Sequence, residues 1–206
     1  MSSTLQIFLL FFAKDSCGLC LPCRAKPCYT PGMANEKLSL LGAAFAHPFE
    51  PVFDSRSRVL VLGSFPSVAS RSSGFFYGHP QNRFWRVMAR VFGEEVPVSI
   101  EEKRDFLLRS RVALWDVAAL CEVQGSSDTS IRGAVPTDLP RIFSTAQIVR
   151  VFLNGKKAFA LYKQFYGETG IGAECLPSTS PANAAWTFER LAAEWQKVAQ
   201  WAQQDE

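Results

Sequence analysis

The sequence predicts an α/β fold built on a parallel sheet covered on both faces, and three observations predict it. After Met33, short apolar runs of β character alternate with longer helical segments, which is the signature of strands linked by crossover helices. The run Arg58-Val-Leu-Val-Leu62 is apolar and ends at Gly63, as expected of a strand buried on both sides. At 206 residues the chain is long enough for one such domain with a sizeable core and short for two. It contains no internal repeat.

The remaining elements follow in order. Residues 82–92 read as a helix: Phe84, Trp85, Met88, Val91 and Phe92 share one face, Arg83, Arg86 and Arg90 another, and Gly93 supplies a stop. Residues 99–110 form a second helix opened by a Ser99-x-x-Glu102 capping box. Val112 to Trp115 is a strand, followed by a polar loop from Gln124 to Thr129. A helix from about Asp138 to Ser144 leads to a strand from Ile148 to Leu153. Asn154-Gly155 then turns the chain into a helix running through Tyr166. Glu174 to Leu176 is a short last strand, and a final helix over about 182–203 buries Phe188, Leu191, Ala192, Trp195, Val198 and Ala199. Open parallel sheets bind ligands beyond the carboxyl ends of their strands. Loops 63–82, 116–133 and 177–183 are therefore the places to look for a site.

Composition excludes some classes. With 48% hydrophobic and 20% charged residues, wholesale disorder is not expected. No stretch reaches the roughly 18 apolar residues of a membrane span. The apolar run Leu5 to Ala13 has no basic residue before it and makes a poor secretory signal. Cys17, Cys20, Cys23 and Cys28 have a spacing suggestive of zinc or iron–sulfur ligation. They lack a downstream ligand pair and run into the Pro/Gly-rich Tyr29-Thr-Pro-Gly32. Residues 1–32 are read instead as a disordered extension or an over-long start, residues 33–206 as the single domain, and no metal or cofactor is expected. Cys121 and Cys175 stand singly in apolar settings and read as reduced core thiols of a cytoplasmic protein.

The net charge of +3 does not by itself announce a nucleic-acid binder, but its distribution says more. Between Arg56 and Arg90 there are six arginines and no acidic residue, interleaved with Phe65, Phe75, Phe76, Tyr77, Phe84 and Trp85. That mixture suits a surface that holds phosphates and stacks a base, and equally a packed helix with a solvated basic face. Two segments carry unusual chemistry. The first is Gly63-Ser-Phe-Pro-Ser67 followed by Gly74-Phe-Phe-Tyr-Gly-His-Pro-Gln-Asn-Arg-Phe-Trp85. Here a glycine leaves a buried strand, aromatics sit in a loop, and a histidine and two amides precede a helix. The second is Leu176-Pro-Ser-Thr-Ser-Pro-Ala-Asn183, a stiff loop rich in hydroxyls that suits contact with a phosphodiester backbone. From the residues alone, Asn82 also reads as a helix N-cap and His79 as a turn residue. Ser180 also reads as the cap of a helix with Pro181 at its first position. Lys156 and Lys157 look like a helix-terminal pair rather than a nucleophile. Asp116 and Asp128 are conceivable acids ranked below Asn82.

Taken together, these segments resemble the uracil-DNA glycosylase superfamily. Gly63-Ser-Phe-Pro-Ser67 and His79-Pro-Gln-Asn-Arg-Phe-Trp85 are similar to the first motif region of its mismatch-specific and hypoxanthine branches, and Leu176 to Asn183 to the second motif. Leu114-Trp-Asp-Val117, Ser130-Ile-Arg132 and Phe152-Leu-Asn-Gly-Lys-Lys157 also resemble the hypoxanthine-DNA glycosylases. The likeness spans roughly Leu40 to Ala199. It implies a three-layer α/β/α fold with a central four-stranded, mostly parallel sheet. It also implies an enzyme that flips a deaminated base out of duplex DNA and hydrolyses its N-glycosidic bond. Where much of the superfamily places a water-positioning Asn or Asp before the motif proline, this chain has Phe65. The resemblance therefore moves the catalytic role to Asn82, which would orient the water, with Ser64 the only other polar side chain nearby.

The expected site follows from that likeness. Gly63, Phe65 and Pro66 line the pocket, Phe76 or Tyr77 stacks on the base, and His79 is a weaker candidate to stabilise the departing base. Ser178, Thr179, Ser180, Pro181 and Arg71 hold the DNA. The resemblance further implies a monomer acting on damaged, double-stranded DNA, most readily on hypoxanthine, and leaving an unnicked abasic site for an abasic-site endonuclease. The rival expectations are a glycosylase for uracil or thymine opposite guanine, and a damage-binding protein without activity.

Overall fold

Four runs of buried residues become the strands of one sheet, because residues apolar on both pleat faces are stable only between two helical layers. The computed structural model describes residues 44–125, 130–167 and 169–204. The N-terminal cysteine cluster and Asp128 lie outside the described residues. Strands β2 (Val59–Gly63), β3 (Val112–Asp116), β6 (Arg150–Asn154) and β7 (Gly172–Leu176) pair in the order β3-β2-β6-β7, and every pairing is parallel. The expected three-layer α/β/α architecture is present, and the sheet is wholly rather than mostly parallel.

Around it lie the short helix α1 (Val68–Ser73), α2 (Phe84–Phe92), α3 (Ile100–Arg109), α4 (Pro140–Phe143), α5 (Lys156–Tyr166) and α6 (Phe188–Gln203). Helix α2 packs on α6, where Phe84 meets the edge of Trp195, and α6 in turn crosses β2. Helix α3 backs β3, and α5 backs β6 and β7. The Ser99–Glu102 capping box forms as expected at the start of α3.

Besides the short helix α1 inside the expected loop 63–82, two features depart from the sequence reading. The final helix starts at Phe188, capped by Thr187, and not near residue 182. Ser180 and Pro181 belong to a turn in which Ser180 accepts hydrogen bonds from Ala182 and Asn183. No helix is capped by Ser180. The second departure is a small antiparallel sheet of β1 (Ala44–Ala46), β4 (Ala118–Glu122) and β5 (Arg132–Pro136), in the order β1-β4-β5.

That small sheet positions a functional group. β4 follows β3 after a single residue, Val117, so one continuous stretch serves both sheets. β1 pairs with β4, and the ladder extends one step further, with His47 N–H donating to Ala119 C=O at 2.8 Å. His47 is thereby carried from the start of the described chain to the carboxyl end of β3.

Candidate active site

The carboxyl ends of β2, β3 and β6 open into a cleft that is continuous with solvent, at the edge where open parallel sheets bind their ligands. Gly63, Asp116 and Asn154, the last residues of three adjacent strands, lie side by side along its floor. The middle strand contributes little more than backbone there. A methyl group on Gly63 would overlap Asp116 Oδ1 and sit 3.1 Å from the Tyr77 hydroxyl, so glycine is what lets those two side chains converge.

One wall is made of amides. Thr179 is fully buried, and its N–H donates to Asn154 Oδ1 at 3.0 Å, which fixes that amide's orientation. Asn154 Nδ2 then donates to Thr179 Oγ1, and Thr179 Oγ1 donates to Asn82 Oδ1, both at 3.0 Å. Asn82 Oδ1 also accepts the N–H of Phe84 at 3.0 Å. A carbonyl oxygen has two lone pairs, and both are engaged here. What Asn82 offers the cleft is therefore Nδ2, a donor. The Asn82 oxygen is spent on Thr179 and on the first residue of α2, so any group that Asn82 holds in the cleft, a water or a base, meets it as a donor.

Behind this wall, Arg83 braces the loop after β7. Its guanidinium donates to the carbonyls of Thr179, Ser180, Asn183 and Trp186, and its N–H donates to Thr179 C=O. The planar, five-donor guanidinium suits such a fan of acceptors. Gly155, at φ +100°, turns β6 into α5 close under Ser178 and donates its N–H to Leu176 C=O at 3.0 Å.

The opposite wall holds a carboxylate. Asp116 Oδ2 lies 2.9 Å from His47 Nε2, with side-chain exposures of 6% and 4% respectively. The N–H of Phe49 donates to His47 Nδ1 at 3.1 Å, so the ring's proton sits on Nε2 and points at Asp116. Phe49, Phe65, Phe76 and Trp115 surround the imidazole, with ring centroids 5.6 to 6.3 Å away. Below, Thr137 Oγ1 donates to Asp116 C=O at 2.9 Å, while the Tyr166 hydroxyl donates to Thr137 C=O at 2.6 Å. Burial pushes the Tyr166 phenol up to about 12.

Gly63, Ser64, Phe65, Pro66, Phe76, Tyr77, Asn82, Ser178 and Ser180 all line this cleft. Phe76 is 3% exposed and packs against Phe49 and Phe75, so little of its ring meets the cavity. Tyr77 stacks 3.9 Å over Phe84 and holds φ +54°, a backbone conformation that side-chain-bearing residues enter at a cost of about 1–3 kcal/mol. Three expected residues are placed elsewhere. Thr179 has no exposed surface with which to press on DNA; it orders Asn82 and Asn154 instead. His79 is not among the cleft residues: its Nδ1 accepts from Gln81 N–H and its carbonyl from Asn82 N–H, as a turn residue would. Arg71 donates to Pro66 C=O at 2.7 Å and lies over the Phe45 ring, bracing the motif loop from outside. Pro181 is exposed beside the cleft.

His47, Asn154 and Arg83 are site residues that sequence reasoning did not single out. His47 had one available signal, since the chain contains only two histidines. Asn154 was hidden inside an Asn-Gly turn and Arg83 inside the basic face of α2. Among the described residues there is no cluster of three or more His, Cys, Asp or Glu that would hold a metal ion. No described helix is long and apolar enough to cross a membrane.

Comparison with known proteins adds the family. The family model of the Uracil DNA glycosylase superfamily matches residues 50–203. A protein of Methanosarcina acetivorans named hypoxanthine DNA glycosylase is 32% identical over 152 residues, which is 73% of this chain and 95% of that protein. Its namesake in Methanosarcina barkeri is 31% identical over 137 residues, 66% and 86% of the two chains. A solution NMR structure from Methanosarcina acetivorans, provisionally named a uracil DNA glycosylase, superposes with a TM-score of 0.67 at 30% identity, covering 76% of this chain and 97% of that one.

Proposed function

This chain belongs to the Uracil DNA glycosylase superfamily, and within it we propose a monofunctional DNA glycosylase that removes hypoxanthine and leaves an intact abasic strand. The observation that carries the substrate reading is the amide wall. With its oxygen engaged by Phe84 and Thr179, Asn82 presents only N–H to the cleft. Hypoxanthine offers the carbonyl O6 at the position where adenine carries a donating amino group. A fixed donor there favours the deaminated base and opposes the normal one, because adenine would set donor against donor. The two relatives named hypoxanthine DNA glycosylase support the same assignment.

The same donor serves catalysis. Cleaving the C1′–N9 bond leaves the electron pair on the base, and an N–H aimed at the carbonyl stabilises the anion as it forms. Tyr77 faces the flipped ring, with the little of Phe76 that reaches the cavity beside it, while Ser178, Ser180 and Pro181 would meet the strand and Arg71 braces the motif loop that lines the pocket. The partner in this reading is damaged, double-stranded DNA, and an abasic-site endonuclease acts next in base excision repair.

The test uses duplexes carrying one hypoxanthine, one uracil or neither, with alkali to reveal abasic sites. Hypoxanthine release is expected well above uracil release. Asn82→Ala is expected to lower the rate on the order of 10²–10³-fold, the size of losing one anion-stabilising donor. Faster release of uracil than of hypoxanthine would transfer the assignment to a uracil or thymine mismatch enzyme. Tight binding of damaged duplex without any release would make the protein a damage binder.

A further inference from the structure

If the amide wall holds the base, the water must be activated from elsewhere. We propose that Asp116, aimed by His47, takes the proton from the attacking water. This inference rests on the glycosylase reading above. Among the described residues that line the cleft, Asp116 is the only one carrying a carboxylate or an imidazole. The other polar lining groups are the amides of Asn82 and Asn154 and hydroxyls such as those of Ser64 and Tyr77. None of these is a good proton acceptor near neutral pH. The carboxylate is almost wholly buried, and its side-chain partner among the described residues is an imidazole rather than a lysine or arginine.

The geometry gives its two oxygens different duties. Oδ2 accepts a hydrogen bond from His47 Nε2–H, with the two heavy atoms 2.9 Å apart, and this fixes the carboxylate's rotation. Oδ1 lies over Gly63, beside the Tyr77 hydroxyl and among the residues that line the cavity. His47 is in turn fixed by the Phe49 N–H on its far nitrogen. It is a positioning residue, since it acts on the reaction only through Asp116.

Asp116 and Asn154 end strands separated by one strand, β2, so the carboxylate and the amide wall stand on opposite sides of the cleft. The step balances: water oxygen bonds to C1′, the C1′–N9 pair leaves on the base, and the water proton passes to Asp116 Oδ1 and from there to solvent or the departed base.

The experiment measures single-turnover release from a hypoxanthine duplex, alongside affinity for a duplex with a tetrahydrofuran abasic analogue, for the full chain and four variants. Asp116→Asn is expected to slow release on the order of 10²–10⁴-fold, the usual size of lost general-base catalysis, while affinity for the analogue stays within about threefold. Added formate is expected to restore release to Asp116→Ala by about tenfold, because a small carboxylate can occupy the vacated space, and not to Asp116→Asn. His47→Gln, which keeps an N–H, should retain most of the rate. His47→Phe should lose it on the order of tenfold or more without loss of analogue binding.

Release by Asp116→Asn within about fivefold of wild type would overturn the proposal and leave the glycosylase reading standing. So would a slow Asp116→Asn that also fails to bind the analogue, combined with no formate rescue of Asp116→Ala, since that pattern marks a structural role. A wild-type protein that releases no base from any duplex would overturn both readings.

Discussion

The two walls of the cleft rise from strand ends on either side of β2, but they hold their polar groups by opposite means. The amide wall is a closed circuit. Asn154, Thr179 and Asn82 satisfy one another, and each orientation is dictated by the next. The carboxylate wall is a short chain of command: a main-chain N–H sets an imidazole, and the imidazole sets a carboxylate, inside a collar of aromatic rings. In the circuit, a change at one member disturbs all of them, because buried polar groups left unpaired cost about 1–3 kcal/mol each. In the chain, aim depends on one ring and on the room that Gly63 leaves. Recognition of a base calls for several donors at fixed angles, and a proton acceptor calls for one oxygen in one place. The two constructions match those two needs.

Damage confined to one wall should separate their contributions. The largest effect is expected from Gly63→Ala, whose methyl takes the place of Asp116 Oδ1 while leaving the amides untouched. Single-turnover release should fall about 10²-fold or more, the penalty for displacing a reacting group by about an ångström, with the abasic-analogue duplex still bound. Release at the wild-type rate would mean that the carboxylate wall has no part in the chemistry. Next is Arg83→Met, which removes the donors shared by four carbonyls of the loop after β7. Urea unfolding should show a loss of about 2–4 kcal/mol, with release falling as the loop that carries Thr179 loosens.

A smaller effect is expected from Thr179→Val, which keeps shape and cuts the amide circuit at its centre. Stability should drop about 1–3 kcal/mol and hypoxanthine release about tenfold, with formate rescue of Asp116→Ala unaffected in the double variant. An unchanged rate and an unchanged unfolding midpoint would show that Asn82 is held by something other than this circuit. The smallest effect belongs to Tyr166→Phe, two steps behind Asp116. Near neutral pH it should cost about 1 kcal/mol and change release little. In alkali it becomes visible. The Tyr166 phenol ionises near 12 in the folded protein and near its ordinary value of about 10 when unfolded. The folded state therefore holds its proton longer, and the stability present below pH 10 is lost as pH rises from there toward 12. An ultraviolet titration should show one late-ionising tyrosine in the wild type that is missing in Tyr166→Phe.

The parallel sheet was legible in the sequence because burial on both faces leaves unbroken apolar runs such as Val59 to Leu62, and the capping box of α3 because its signal is local. The antiparallel sheet was not. β1 is three residues long, and Arg132-Gly-Ala-Val-Pro136 is largely exposed with a glycine and a proline in it, so neither shows the alternation that marks a half-buried strand. The same division runs through the site. Gly63 to Pro66, Phe76, Tyr77 and Asn82 announced themselves as unusual residues in loops after strands. His47 did not, because its meaning comes from pairing with a residue 69 positions away. Thr179 misled for a related reason. A hydroxyl in a Ser/Thr/Pro loop looks solvent-facing until the fold brings Asn82, 97 residues distant, onto it.

Thr179 also sets when the cleft comes into being. Synthesis delivers the chain from its N-terminus, so His47, Gly63, Asn82, Asp116 and Asn154 all emerge before the residue that locks the amides. Even then the loop is not seated until Trp195, in the last helix, donates to Pro177 C=O at 3.0 Å. Two of the bonds that fix this wall, Thr179 to Asn82 and Trp195 to Pro177, therefore cannot form until residues far downstream of the rest of the cleft have been made.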